Sequence, residues 1–221
     1  CDNVLWGGIV GENGVNNIKI SNSNGDSEYS DFQKEVLNLY KSGVILAICS
    51  KNNFEDVEEV FKKRDDMLLK LSDFTIIKAN WNNKADNIIQ ISKELNIGLD
   101  SMVFVDDSEF EINLVNKFLP EVKTIHLEKE RSEQNRFKLA SSKYFLTSSL
   151  TNEDRLRNKM YKEEVKRTEL KKKIFSIDEY LKSLDLQAIV RTPNDKDLKR
   201  VEQMTQRTNQ FNLTTKRYDS Q

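Results

Sequence analysis

The sequence predicts an α/β fold built on a parallel sheet with helices on both sides. Three observations carry this expectation. Apolar runs without polar alternation occur at 44–49 (VILAIC), at Ile76-Ile77 and at 102–105 (MVFV), as in strands buried on both faces. Between these runs the apolar residues recur at helical spacing. Strand and helix therefore alternate along the chain, which is the pattern of a parallel sheet.

Taken in order, Phe32, Val36 and Leu39 fall at i, i+4 and i+7, one face of an amphipathic helix that Gly43 stops. The run 44–49 is the next strand, and Ile76-Ile77 the one after it. Ile88, Ile91 and Leu95 line a further helix ending near Gly98, and 102–105 and 122–125 complete the strands. Ahead of all these, Gly7-Gly8, Gly11 and Asn13-Gly14 punctuate short apolar pairs. Asn-Gly is a strong hairpin signal, so 7–20 is expected to form a β-hairpin inserted after a first strand, with 22–30 a polar loop. That first strand should lead into Asp2, which places its body ahead of Cys1.

Beyond His126 the composition changes. Residues 150–173 carry many charges of both signs, with Leu156, Met160 and Val165 as sparse apolar positions. A connecting helix is expected there, with Lys171, Lys172 and Lys173 in its last turn, where cations suit the helix dipole. A strand at 186–190 and a helix at 198–205 follow. The expected organisation is a catalytic core over 1–147, a connecting helix over 148–173, and over 174–221 the start of a second α/β domain too short to close its own core.

Composition narrows the classes of function. Lys and Arg number 35 against 36 Asp and Glu, so the charge balance lacks the basic footprint of a nucleic-acid or anionic-membrane binder. No apolar run approaches the ~20 residues that span a bilayer. Two cysteines make no disulfide framework, and a reducing, cytoplasmic setting is expected.

Ligands of open parallel sheets bind at the carboxyl ends of the strands. Ser50 follows one buried run directly and Asp106-Asp107 follows another, while Lys84 opens the helix after Ile76-Ile77. Asp2 should stand just past the first strand. Carboxylates, a hydroxyl and an ammonium on one rim suit a phosphate held by hard donors and a hard cation. Asn52 and Asn53 begin the next helix, whose first N–H groups favour an anion.

These residues carry a family resemblance. Cys1-Asp2-Asn3-Val4-Leu5-Trp6 resembles the first motif of the haloacid dehalogenase (HAD) superfamily, Asp-x-Asp-x-Thr, entered one residue late. Ser50 is similar to the second motif, Lys84 to the third and Val105-Asp106-Asp107 to the fourth. Leu5-Trp6-Gly7-Gly8-Ile9-Val10-Gly11-Glu12 and Cys49-Ser50-Lys51-Asn52-Asn53 resemble the FkbH-like branch, subfamily IIIC. So does Arg207-Thr208-Asn209-Gln210-Phe211-Asn212-Leu213-Thr214-Thr215, typical of the acyltransferase-like domain that follows the core in that branch.

The resemblance implies a HAD-type Rossmann-like sheet and a Mg²⁺-dependent enzyme working through an aspartyl-phosphate. The nucleophilic aspartate would immediately precede Cys1, so the chain as written is expected to be inactive. Asp2, Asp106 and Asp107 would serve the metal, and Asp2 would also act as general acid and base. Ser50, Lys51, Asn52 and Lys84 would bind the phosphorylated substrate. Val4 stands where the family has Thr. Two activities are implied: a phosphatase on a small phosphorylated metabolite, or transfer of a glyceryl group from a phosphorylated glycerate to an acyl carrier protein.

Plainer readings remain beside these. Cys1 and Cys49 are expected to face away from Asp2 and Ser50 because strand neighbours alternate, which makes them packing residues. His126 should face solvent, and Trp6 and Trp81 suit either core packing or a pocket wall. A non-catalytic receiver domain also uses aspartates, a hydroxyl and a lysine, but its acidic pair comes first, whereas here it comes last. A catalytically silent scaffold is the other alternative.

Overall fold

Four short strands organise the chain into two parallel ladders. β1 (Leu46–Ser50) pairs with β2 (Phe74–Ala79), and β3 (Val103–Asp106) pairs with β4 (Lys123–His126). The structure is a computed structural model that describes residues 1–21, 28–128, 132–145, 152–173, 182, 185, 187 and 189–207. The chain divides into two units, Cys1–Lys173 and Ile174–Gln221. In the first unit the helices are α1 (Val10–Asn13), α2 (Glu28–Lys41), α3 (Phe54–Lys63), α4 (Lys84–Leu95), α5 (Glu109–Phe118), α6 (Ser132–Ala140) and α7 (Asn152–Lys173).

Strand and helix alternate from α2 to α6, as the apolar periodicity predicts. Ile88, Ile91 and Leu95 are all buried. Burying each side chain of this size stabilises by about 1.5–3 kcal/mol. Asn83 starts α4 by accepting from the Ala85 amide at 2.8 Å, a side-chain N-cap. The helix stops at Asn96, whose φ of 53° is left-handed, two residues before the expected Gly98. Asparagine tolerates that conformation better than most residues.

Two expectations need correction. The segment 7–20 is not a hairpin of paired strands. Gly7 and Lys19 form a single antiparallel bridge (2.8 and 2.9 Å), and between them the chain makes the helical turn α1. The Asn13 side chain explains this, because its Oδ1 accepts from the Ile9 amide at 2.8 Å and diverts Asn13-Gly14 from a hairpin turn. Arg64 pins the loop by donating to the carbonyls of Val15 and Ile18 at 2.9 and 2.8 Å while pairing with Asp66. The second is one of detail: the expected parallel pairing is present, as two two-stranded ladders among the described residues. An apolar cavity of about 570 Å³ is lined by both, with Leu46 and Ile48 on one side and Val103 and Val105 on the other. No described strand leads into Asp2, which makes only an isolated parallel bridge with Trp6.

The main core joins Trp6, Phe32, Ile48, Val57, Val60 and Phe74. Trp6, Phe61 and Phe74 stack edge to face, with centroids 6.1 and 5.7 Å apart, a favoured aromatic geometry. Gln33 is fully buried, donating to the Leu5 carbonyl (2.7 Å) and accepting from the amides of Leu68 and Leu69.

The long helix α7 packs on the rest of the first unit. Tyr161 and Val165 lie against the cluster of Ile76, Ile91 and Leu95, and buried Asn158 donates to the Tyr40 carbonyl at 2.8 Å. Of its expected apolar positions, Leu156 and Met160 are exposed. Gly43 allows the approach: its φ is +91° and a Cβ there would stand 2.4 Å from the Asp154 carbonyl oxygen. In the second unit α8 (Asp195–Arg207) covers the expected helix. Of the strand expected at 186–190, Gln187, Ile189 and Val190 have no regular structure, and Leu186 and Ala188 lie outside the described residues. So do residues 208–215 and most of the expected loop 22–30.

Candidate active site

The carboxyl ends of β1 and β3 and the turn after β2 meet at one rim. β1 ends on Ser50, β3 ends on Asp106, and Lys84 is the first residue of α4. The Lys84 ammonium donates to Asp106 Oδ2 at 2.6 Å, which ties the two ladders together at this edge. Both side chains are buried. Asp106 Oδ1 accepts from the Ser108 amide at 2.9 Å, so β3 hands its carboxylate straight to the start of α5. Lys84 also lies 5.9 Å from the Phe104 ring centroid.

On the other side Asn52 bridges two of the predicted residues. Its Nδ2 donates to Asp2 Oδ2 and to Ser50 Oγ, both at 3.1 Å. Asp2 Oδ1 accepts from Trp6 Nε1 at 2.8 Å and from the Val10 amide at 3.3 Å. The Cys1 nitrogen donates to Ser50 Oγ at 3.1 Å. Lys84, Asp2, Asp106 and Asp107 lie around this position. All four charged groups therefore act on one point, beside Ser50. Asp107 is half-buried, and its carbonyl is contacted by His126 Nε2 at 3.1 Å.

Lys51 turns from Ser50 to the first turn of α5, where its ammonium meets Glu111 Oε1 at 2.7 Å. Asn53 caps no amide of α3. Its Oδ1 accepts from Trp81 Nε1 at 2.9 Å and its Nδ2 donates to Asp56, which leaves the first amides of α3 for an anion.

The remaining candidates separate cleanly. Trp6 is fully buried and serves both the core and Asp2, whereas Trp81 is exposed at the rim. Cys49 is half-buried with its Sγ 3.6 Å from the Lys84 carbonyl, and burial pushes its thiol up to about 12. A thiol that stays protonated is a poor nucleophile. Cys1 packs against the core and His126 is exposed. Glu111 was not signalled as a site residue by the sequence, and Trp6, read there as core packing or a pocket wall, also holds Asp2. A glutamate in a first helical turn reads there as a solvated charge suited to the dipole.

The donor chemistry suits a divalent cation. Asp2, Asp106, Asp107 and Glu111 outnumber Lys51 and Lys84 by two at this rim. Among the described residues no group of three or more His, Cys, Asp or Glu side chains is arranged to hold a metal by itself. Carboxylates at one rim suit a small hard cation that takes one or two of them plus substrate oxygens.

No protein-family model matches the sequence, and no curated protein matches it. A solved structure does: the N-terminal part of the protein BF1531 from Bacteroides fragilis, which contains a phosphatase domain complexed with Mg. It is 41% identical, superposes with a TM-score of 0.62 and covers 67% of this chain, while this chain spans 39% of that one. Over that shared length the chain has the fold of a phosphatase domain, a Rossmann-like α/β arrangement with short parallel ladders.

Proposed function

We propose that the chain is the core of a Mg²⁺-dependent phosphoryl-transfer enzyme of the FkbH-like HAD branch, acting as a phosphatase on a small phosphorylated metabolite. The observation that carries this reading is the convergence of Asp2, Ser50, Lys84 and Asp106 on one rim. Similarity to a Mg-bound phosphatase domain at 41% identity supports it. The Asp2 backbone carbonyl and the Asp106 carboxylate would hold the cation, with Asp107 beside them. When bound, Mg²⁺ would supply charge neutralisation at the phosphate oxygens.

The remaining chemistry belongs to side chains. An aspartate bonded to the Cys1 nitrogen would attack phosphorus, forming an acyl phosphate as the ester P–O bond breaks. Asp2 would give its proton to the leaving oxygen, then take one from the water that attacks the phosphoenzyme, releasing inorganic phosphate. Ser50 Oγ and the Lys84 ammonium would bind phosphoryl oxygens, the lysine leaving Asp106 as substrate arrives. Asn52 would keep Asp2 and Ser50 in register through its two 3.1 Å bonds.

The experiment is phosphate release from a panel of small phosphate esters by the protein carrying that preceding aspartate. Activity should require Mg²⁺ and be abolished by Asp106→Asn; full turnover of that variant, or in excess chelator, would sink the metal assignment. A second reading, glyceryl transfer to an acyl carrier protein, draws on the resemblance of 207–215. A glyceryl thioester formed from a phosphorylated glycerate and a carrier protein, seen by mass spectrometry, would select it.

A further inference from the structure

We propose that Glu111 is a positioning residue that holds the Lys51 ammonium at the mouth of the site, where Lys51 takes an oxygen of the bound phosphoryl group. The inference rests on the phosphatase reading above and deepens it.

Lys51 directly follows Ser50, and its ammonium crosses to α5 to meet a carboxylate 60 positions away at 2.7 Å. The pair is lopsided: the Glu111 side chain is 7% exposed and that of Lys51 38%. The carboxylate is sealed in while the ammonium reaches the rim. Glu111 adjoins the same site: its amide donates to Ser108 Oγ at 3.4 Å, and the Ser108 amide donates to Asp106 Oδ1 at 2.9 Å.

The second oxygen of Glu111 is the informative atom. Oε2 is buried without a hydrogen-bond partner among the described residues. A buried carboxylate with an unsatisfied oxygen is a poor way to stabilise a fold, and replacing both members of such a pair by apolar groups is often neutral or stabilising. What the carboxylate supplies is a fixed place for an ammonium. Lysine has three N–H donors; Glu111 takes one, and the others remain for a ligand oxygen. The rotamer freedom that a lysine loses on gripping a ligand is already lost in the pair.

The test uses the full chain, with inorganic phosphate titrated in the presence of Mg²⁺ by calorimetry, alongside thermal melts. Lys51→Ala, Glu111→Gln and the volume-matched Glu111→Met should each weaken phosphate binding about tenfold, the worth of one charge-assisted hydrogen bond. The Lys51→Ala/Glu111→Gln double variant should be no weaker than either single variant, because both remove one interaction. Neither Glu111 variant should melt below wild type. Wild-type affinity in Glu111→Gln, additive losses in the double variant, or losses that only track a lowered melting point would overturn the role. Absence of phosphate binding by the wild type would instead overturn the phosphatase reading, and this inference with it.

Discussion

Removing the Lys84 ammonium strands a buried carboxylate, and the consequence depends on whether a cation can replace it. In Lys84→Met the Asp106 side chain, 5% exposed, loses its 2.6 Å partner and keeps only the Ser108 amide at 2.9 Å. Breaking one side of a buried pair costs about 3–5 kcal/mol, and the surviving bond puts this case near ~3 kcal/mol. For a unit of this size each kcal/mol moves the melting temperature by about 2–4 °C, so a fall of ~6–12 °C is expected in chelator. Mg²⁺ at a hundred times its dissociation constant returns about 2.7 kcal/mol, nearly the whole loss. The assay is a melting curve for each protein in chelator and in excess Mg²⁺. Asp106→Asn added to Lys84→Met should remove the Mg²⁺ rescue. A Lys84→Met protein within ~1 kcal/mol of wild type in chelator, or one that Mg²⁺ does not stabilise, refutes the reasoning.

Cys49 and Gly43 give two further tests. The Cys49 thiol is pushed up to about 12 from its ordinary value of 9.0, chiefly by burial, so it should resist alkylation near neutral pH until the chain is unfolded. The folded state keeps this proton where the unfolded chain has lost it, so the contribution is present below about pH 9 and is lost as pH rises towards 12. The difference in urea midpoint between wild type and Cys49→Val at about pH 8 and about pH 10.5 should show this loss; a constant difference would contradict it. Gly43→Ala combines a left-handed φ with a Cβ 2.4 Å from the Asp154 carbonyl. It should cost ~2 kcal/mol or more and raise hydrogen exchange in α7. Unchanged stability and exchange would mean that this contact does not hold the helix.

Much of the site was legible because strand ends can be located from buried apolar runs. Ser50, Lys84 and Asp106 each follow from a run that stops, and the structure sets them at one rim. Partners across the fold were not legible. Nothing in the sequence links Lys51 to Glu111, and read locally each is a solvated charge. The same limit applies to Asn52, whose two bonds to Asp2 and Ser50 could not be read from the sequence. The segment 7–20 misled because Asn13 has two uses: Asn-Gly favours a hairpin turn, but here its side chain closes a helical turn on Ile9. In α7 the apolar positions chosen by residue type were Leu156, Met160 and Val165; Val165 packs on the core beside Tyr161, whereas Leu156 and Met160 are exposed. A helix with so few apolar residues gives the periodicity too little signal to set its inward face.

Direct detection of a phosphoenzyme tests the central claim. The chain is extended by an aspartate at the Cys1 nitrogen, with and without Asp2→Asn, and mixed with Mg²⁺ and a phosphate ester that has a good leaving group. Intact-protein mass spectrometry, followed by peptide mapping, then reads the product. Loss of an acid–base partner slows its step by about 10²–10⁴-fold, so the Asp2→Asn protein should accumulate one phosphoryl group on the added aspartate, and Asp106→Asn should prevent it. Phosphate release at the wild-type rate by Asp2→Asn, with no phosphorylated aspartate and no dependence on Mg²⁺, would contradict it.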